Sequence, residues 1–175
     1  MFATDCVWRA RLTFPDFEEF IASLNAQRVR YLVVGGYAVG FHARPRATKD
    51  IDILVDGTVA NARRIRSALR AFLGADPAGI TVARLTNPRT VIVLGVAPVR
   101  IDILTSIDGV PSFAEAWKRR VVGAYGAVRT QYLGLDDLIA SKAAAGRLQD
   151  LADVEVLKRA GLRRARARSR KPSKR

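Results

Sequence analysis

The chain has 175 residues, 49% of them apolar, and a net charge of +14, which is the composition of one globular domain with an excess of basic side chains. Its single cysteine, Cys6, excludes an intrachain disulfide, and with only one histidine, His42, a Cys/His zinc site or a serine–histidine triad is excluded or nearly so. Its apolar runs fall short of the ~20 residues of a membrane span, and its first residues lack the pattern of a signal peptide, so we predict a cytoplasmic protein without a membrane partner.

The positive charge is concentrated at the C-terminus. Residues 163–175 contain eight Lys or Arg and no acid. A segment of this composition has no apolar periodicity and repels itself, so we predict a domain over residues 1–162 and a disordered basic tail over residues 163–175. Two roles stay open for the tail: an arm that binds a polyanion, or a solvated end that aids solubility.

The first predicted elements are a helix, a strand and a short second helix. Apolar residues recur at helical spacing between Phe14 and Leu24, and Pro15 favours helix initiation there. A strand over residues 31–34 then leads into a turn at Gly35-Gly36 and a short helix from Tyr37.

The middle of the chain predicts further strands. A basic loop broken by Pro45 is followed by a strand over residues 50–55 and an amphipathic helix that ends at Gly74. Three β-branched runs, residues 80–85, 89–96 and 99–107, predict adjacent strands.

The last third predicts a helix over residues 111–120, a hairpin that turns at Tyr125-Gly126, and two helices joined near Gly146. The order of elements predicts an α/β (α+β) fold, with a mixed β-sheet flanked by helices and two C-terminal helices.

Two of the predicted strands carry acids between isoleucines, as IDIL in each case. Side chains alternate along a strand, so Asp50 and Asp52 share one face, and Asp102 would join them if its strand lies alongside. Oxygen ligands without His or Cys suit Mg²⁺ or Mn²⁺. The alternative is that these acids lie on a solvated face and pair with Arg or Lys. However, Asp is depleted in strands, which favours a functional site.

The residues before Asp50 indicate an anion-binding site. Gly35-Gly36 stands where a strand meets a helix, which lets backbone N–H groups approach a phosphate, although such a pair is often only a tight turn. Arg44, Arg46 and Lys49 follow, as phosphate or acceptor contacts or as an ordinary solvated loop. Phosphoryl or nucleotidyl transfer requires a phosphate chain held by N–H groups and cations, with Mg²⁺ bridging that chain to acids.

The stretch VVGGYAVGFHARPRATKDIDILV resembles the signature of the nucleotidyltransferase-fold (DNA polymerase beta-like) superfamily, in which a glycine pair precedes an acid–hydrophobic–acid triplet. The C-terminal DLIASKAAAGRLQDLADVEVL resembles the minimal nucleotidyltransferases and the AbiEii-type toxins of toxin–antitoxin systems. The resemblance covers residues 14–160 and implies the nucleotidyltransferase fold. One departure is Tyr37, which occupies a position where relatives often have Ser or Thr.

The resemblance also implies roles for individual residues. Asp50, Asp52 and Asp102 would be the catalytic acids that hold Mg²⁺ or Mn²⁺. Gly35, Gly36 and Lys142 would bind the nucleotide. Arg46 and Lys49 of the basic loop are further candidate nucleotide-binding residues, on the ground of their charge.

For the C-terminal helices the sequence leaves alternatives open. Lys142 lies on the apolar face of its helix, either to reach the phosphates or to run its stem along the edge of the core. Arg147, Asp150 and Asp153 stand at three-residue steps, as functional residues or as a charge network that stabilises the helix. We expect His42 to be a packing or capping residue rather than a base.

These patterns predict a Mg²⁺-dependent nucleotidyltransferase that moves a nucleoside monophosphate from an NTP to an acceptor hydroxyl and releases pyrophosphate. The basic loop and tail favour RNA as acceptor, and the resemblance to toxins favours tRNA and a possible cognate antitoxin; a protein or an aminoglycoside-type small molecule stays open. Two rivals are a glycosyltransferase, which usually needs a longer chain, and a noncatalytic RNA-binding or regulatory module with the same fold.

Overall fold

The computed structural model describes residues 14–44 and 48–169 of the chain. In this part of the chain six strands form a single sheet in the order β3-β4-β2-β1-β6-β5. The strands are β1 (Tyr31–Val33), β2 (Asp50–Val55), β3 (Val91–Val96), β4 (Val99–Leu104), β5 (Val121–Tyr125) and β6 (Val128–Tyr132). The helices are α1 (Pro15–Ala26), α2 (Gly35–His42), α3 (Val59–Leu73), α4 (Val82–Thr86), α5 (Phe113–Lys118), α6 (Leu135–Ala145) and α7 (Leu148–Ser169).

The sheet is mixed. β2 pairs with β4, and β1 with β6, in parallel. The β1–β2, β3–β4 and β5–β6 pairs are antiparallel. This arrangement, with helices packed on the sheet and two C-terminal helices, confirms the predicted mixed α/β class and is consistent with a nucleotidyltransferase fold.

The core forms where helical and strand periodicities bring apolar faces together. Phe17, Phe20 and Ile21 of α1 are fully buried, because their spacing places them on one side of the helix. They belong to the same hydrophobic cluster as Ile51 and Ile53, which alternate with the acids of β2. The isoleucine face of β2 therefore packs in the core, and its acidic face is not part of the hydrophobic cluster.

Two predicted elements differ from the structure. Residues 80–85 were expected to form a strand, but α4 occupies this region, because the Thr81 hydroxyl accepts a hydrogen bond from the Arg84 backbone N–H and caps a short helix. In addition, α2 begins at Gly35, two residues before the predicted start at Tyr37.

The C-terminal helix is longer than the sequence indicated. Residues 163–169, predicted as part of a disordered tail, continue α7 as helix, and Ala and Arg both have high helix propensity. α7 also packs against α2, where an Arg164 Nη1 lies 3.5 Å from His42 Nδ1. The rest of the predicted tail, residues 170–175, lies outside the described residues. No helix within the described ranges has the length and apolar character needed to cross a membrane.

Candidate active site

The parallel register of β2 and β4 brings the acids to one place. Asp52 pairs with Asp102 across the two strands, and Asp50 pairs with Arg100. Residues paired in register point to the same face of a sheet, so all four side chains share one face. The two IDIL strands are adjacent, which is the condition under which Asp102 was expected to join Asp50 and Asp52.

Gly35 lies directly against Asp52. Its φ of +59° is in the left-handed region, and a Cβ at this position would overlap the Asp52 carboxylate. The Val34 backbone N–H donates to the Asp52 carbonyl oxygen at 2.9 Å, which fixes the start of α2 beside β2. The first N–H groups of α2 have no side-chain cap. Because Gly35 lies against Asp52, the positive end of the α2 dipole is close to this acid.

The acids and glycines line a cleft of about 460 Å³ between the sheet and the C-terminal helices. Six of the predicted site residues line it: Gly35, Gly36, Asp50, Asp52, Asp102 and Lys142. Lys49 is exposed and is not part of the lining. Arg46 lies outside the described residues.

The Asp52 carboxyl is held in an unfavourable environment for a negative charge. Burial, followed by the charges of Asp50 and Asp102, raises the pKa of Asp52 to about 6 from the usual 3.8. Lys142 and Arg100 oppose this shift without cancelling it. The site is therefore short of positive charge in the form described by the structure.

Asp102 is neutralised by Arg100, a residue that the sequence analysis did not single out. Arg100 Nε donates to Asp102 Oδ1 at 2.8 Å, and Arg100 Nη2 donates to Oδ2 at 2.6 Å. The alternative interpretation of the acids expected a pairing with Arg or Lys on a solvated face; Asp102 has such a partner, but its side chain is buried rather than solvated. The alternation of VRIDIL already places Arg100 on the face of Asp102, so this neighbour could have been found.

Lys142 is fixed by acids of α7. Its Nζ donates to Asp150 Oδ1 at 2.6 Å and lies 3.2 Å from Asp153 Oδ2, while Arg147 Nε donates to Asp150 Oδ2 at 2.6 Å. Burial would raise the pKa of Asp150, but the hydrogen bonds from Lys142 and Arg147 lower it below its usual value. Of the charge network that the sequence left open, the Arg147–Asp150 pair is present, and Lys142, which was not counted in it, joins α6 to Asp150 and Asp153 of α7 at the edge of the cleft.

Tyr37 and His42 are both packed against neighbouring residues of the fold. Tyr37 packs edge-on against Phe17 and Tyr125, with ring centroids 5.8 and 5.3 Å apart, and burial raises the pKa of Tyr37 above its usual range. His42 is buried, and its Nε2 lies 2.7 Å from the Leu133 carbonyl oxygen, which supports the expected packing role.

A divalent cation is compatible with the chemistry of these acids. Their donors are carboxylate oxygens, and the raised pKa of Asp52 reflects an excess of negative charge. Among residues 14–44 and 48–169, however, no three His, Cys, Asp or Glu side chains are grouped closely enough to hold a metal. Both Asp102 oxygens accept hydrogen bonds from Arg100, so a cation at the three acids would compete with that guanidinium for Asp102.

The comparison with protein families agrees with this geometry. A family model described as "Nucleotidyltransferase of unknown function (DUF6036)" matches residues 14–160. The match supports the superfamily level of the resemblance and does not extend to the AbiEii-type branch. No curated protein matches the chain. Because the family model covers most of the sequence, the chain belongs to the nucleotidyltransferase family DUF6036.

Proposed function

We propose that this protein is a Mg²⁺- or Mn²⁺-dependent nucleotidyltransferase that moves a nucleoside monophosphate from an NTP to an acceptor hydroxyl, with release of pyrophosphate. The observation that carries the proposal is the in-register Asp52–Asp102 pair, which lies beside Gly35 at the start of α2 and faces one cleft. Acids and helix N–H groups around one space would match the two parts of a metal–triphosphate complex.

The acids and the glycines have separate roles in this proposal. Asp50, Asp52 and Asp102 would hold the cation, which supplies charge neutralisation and orientation for the phosphates. Gly35 and Gly36 would present backbone N–H groups to the triphosphate, and the α2 dipole favours an anion there.

Lys142 is proposed to act mainly through its fixed charge. Its side chain is 10% exposed and bound to buried carboxylates, so direct contact with a phosphate would require breaking those ion pairs. From its present position it adds positive potential to the cleft next to Asp52. Lys49, at the exposed end of the basic loop, stays a candidate contact for nucleotide or acceptor.

The experiment that tests the reaction uses each α-labelled NTP in turn with Mg²⁺ and total RNA, and follows label into RNA, protein and small molecules. We expect label transfer from at least one NTP, loss of transfer in EDTA, and loss in Asp50→Asn, because an amide lacks the anionic oxygen that Mg²⁺ prefers. Absence of transfer from all four NTPs to any acceptor, with RNA still bound, would favour the noncatalytic module. Activity with nucleotide sugars alone would favour a glycosyltransferase.

RNA is the proposed acceptor because of the net charge of +14 and the exposed arginines that the structure describes on α7, which are Arg159, Arg163, Arg164 and Arg166. Truncation after Leu162 removes eight cationic residues, each worth ~0.7 in the slope of log affinity against log salt for a single strand. We expect the truncated chain to bind RNA with a flatter salt slope. Equal slopes would favour a protein or a small-molecule acceptor.

A toxin role with a cognate antitoxin is proposed from the sequence resemblance alone. Expression of the wild-type chain should arrest growth, and Asp50→Asn should not. Growth unaffected by an active wild-type enzyme would remove the toxin role and leave the reaction in place.

A further inference from the structure

Arg100 is a basic residue among the three acids of the acidic face of the sheet. The register of β2 and β4 places it opposite Asp50 and one pleat away from Asp102. On the face formed by residues 50, 52, 100 and 102, it supplies the positive charge among three acids.

The Arg100–Asp102 pair competes directly with a cation. The two hydrogen bonds, at 2.8 and 2.6 Å, use both oxygens of the carboxylate. A divalent cation bound to the same oxygens would be placed next to a guanidinium of like charge, which is unfavourable. Cation and guanidinium therefore compete for Asp102.

The burial of the two partners shows which of them can move. The Asp102 side chain is 9% exposed and is carried by a central strand, whereas the Arg100 side chain is 42% exposed at the mouth of the cleft. Lys142 differs, because it is 10% exposed and is held by two buried acids. Arg100 can leave its partner at little cost to the fold, and Lys142 cannot.

We propose that Arg100 is an exchangeable counter-ion: it neutralises Asp102 in the cation-free protein, and it is released to the phosphates of the nucleotide when a divalent cation binds. This inference rests on the proposed function, since it takes the three acids as the cation site. The destination follows from position and chemistry. Arg100 lines the same cleft as Gly35 and Gly36, and a guanidinium matches phosphate oxygens with two parallel hydrogen bonds.

The chain contains a matched control for this pair. Arg119 and Asp137 form the same two-bond arrangement, at 2.9 and 2.8 Å, with side chains 50% and 13% exposed. Neither residue lines the cleft. Arg119→Gln therefore removes an equivalent ion pair without changing the proposed site.

The test is a titration with Mn²⁺ alone, followed by electron paramagnetic resonance of free Mn²⁺, on the wild type, Arg100→Gln and Arg119→Gln. Removal of the competing guanidinium should tighten Mn²⁺ binding by up to about fivefold in Arg100→Gln, a factor that corresponds to the upper end of the range for one exposed ion pair. Arg119→Gln should bind Mn²⁺ as the wild type does. Equal or weaker Mn²⁺ binding by a folded Arg100→Gln would overturn the exchange.

A second readout should move in the opposite direction. With Mn²⁺ at saturation, inorganic tripolyphosphate should bind Arg100→Gln several-fold more weakly than it binds the wild type, because the released guanidinium is missing. Arg100→Lys, which keeps the charge and loses the fork, should be intermediate in both titrations and serves if Arg100→Gln does not fold. Unchanged tripolyphosphate binding would overturn the second half of the proposal. Mn²⁺ binding by none of the chains would instead contradict the proposed function itself.

Discussion

The two faces of the β2–β4 pair are built from the same two strands and have opposite properties. One face carries Ile51, Ile53, Ile101 and Ile103, each at most 2% exposed. The other carries Asp50, Asp52, Arg100 and Asp102. The isoleucine face contributes to the core, whereas the acidic face lines the cleft and places carboxylates where their charge is disfavoured. The isoleucine face stabilises the fold through its burial, and this stability keeps the carboxylates of the acidic face close together.

The largest loss of stability should come from substitution of Lys142, which borders the acidic face but has a structural role. Its ion pairs with Asp150 and Asp153 join two helices. Lys142→Met should lower the free energy of unfolding by about 3–5 kcal/mol, because it removes the buried cation that the Asp150 and Asp153 carboxylates share. Urea unfolding measures the loss.

A double variant provides the control for Lys142. Lys142→Met combined with Asp150→Asn removes a charge from each side of the pair, so the loss should be smaller than the sum of the two single losses. Additive losses, or a loss below about 1 kcal/mol in Lys142→Met, would mean that the lysine is not a structural residue and would return it to phosphate binding.

Substitution on the isoleucine face should be the next largest effect and should affect stability alone. Ile53 is fully buried, so Ile53→Ala should cost about 2–5 kcal/mol through lost burial and a residual cavity. Label transfer per folded molecule should stay close to the wild-type value. A large fall in transfer without a loss of stability would show that the two faces are not separable in this way.

Substitution on the acidic face should raise, rather than lower, the free energy of unfolding of the cation-free protein. Because burial and neighbouring acids raise the pKa of Asp52 to about 6, its contribution to stability is present below the unfolded-state pKa of 3.8 and is lost as the pH rises to about 6. In EDTA at pH 7, Asp52→Asn should therefore be more stable than the wild type by up to about 3 kcal/mol. It should also flatten the stability profile between these pH values.

Ile53→Val is the matched control for this pH effect. It should lose about 0.5–1.5 kcal/mol at every pH and keep the wild-type slope. A wild-type slope retained in Asp52→Asn would show that another group titrates in this range.

The sequence predicted those parts of the site that depend on local pattern. Alternation along DIDIL placed Asp50 with Asp52. The glycine pair before them was expected to let the backbone approach a phosphate, and the close approach that the structure describes is that of Gly35 to the Asp52 carboxylate. The α4 helix was missed because a single capping residue, Thr81, outweighed the β-branched composition of the run.

The charge partners could not be predicted in the same way. Whether Lys142 faces a phosphate or Asp150 depends on how α7 folds back after Gly146, whose φ of +66° ends α6. Whether Arg100 binds Asp102 depends on a side-chain conformation that alternation alone does not specify. The pattern gives the face of each residue, and the tertiary structure gives its partner.

The most direct test of the account compares neighbours on the two faces of β2 in one transfer assay. α-Labelled NTP transfer to RNA is measured across a Mg²⁺ titration for the wild type, Asp52→Asn and Ile53→Val, each normalised to the folded fraction. We expect Asp52→Asn to stay at background at every Mg²⁺ concentration and Ile53→Val to match the wild type. Near-normal transfer by a folded Asp52→Asn would contradict the assignment of the acidic face as the site of the reaction.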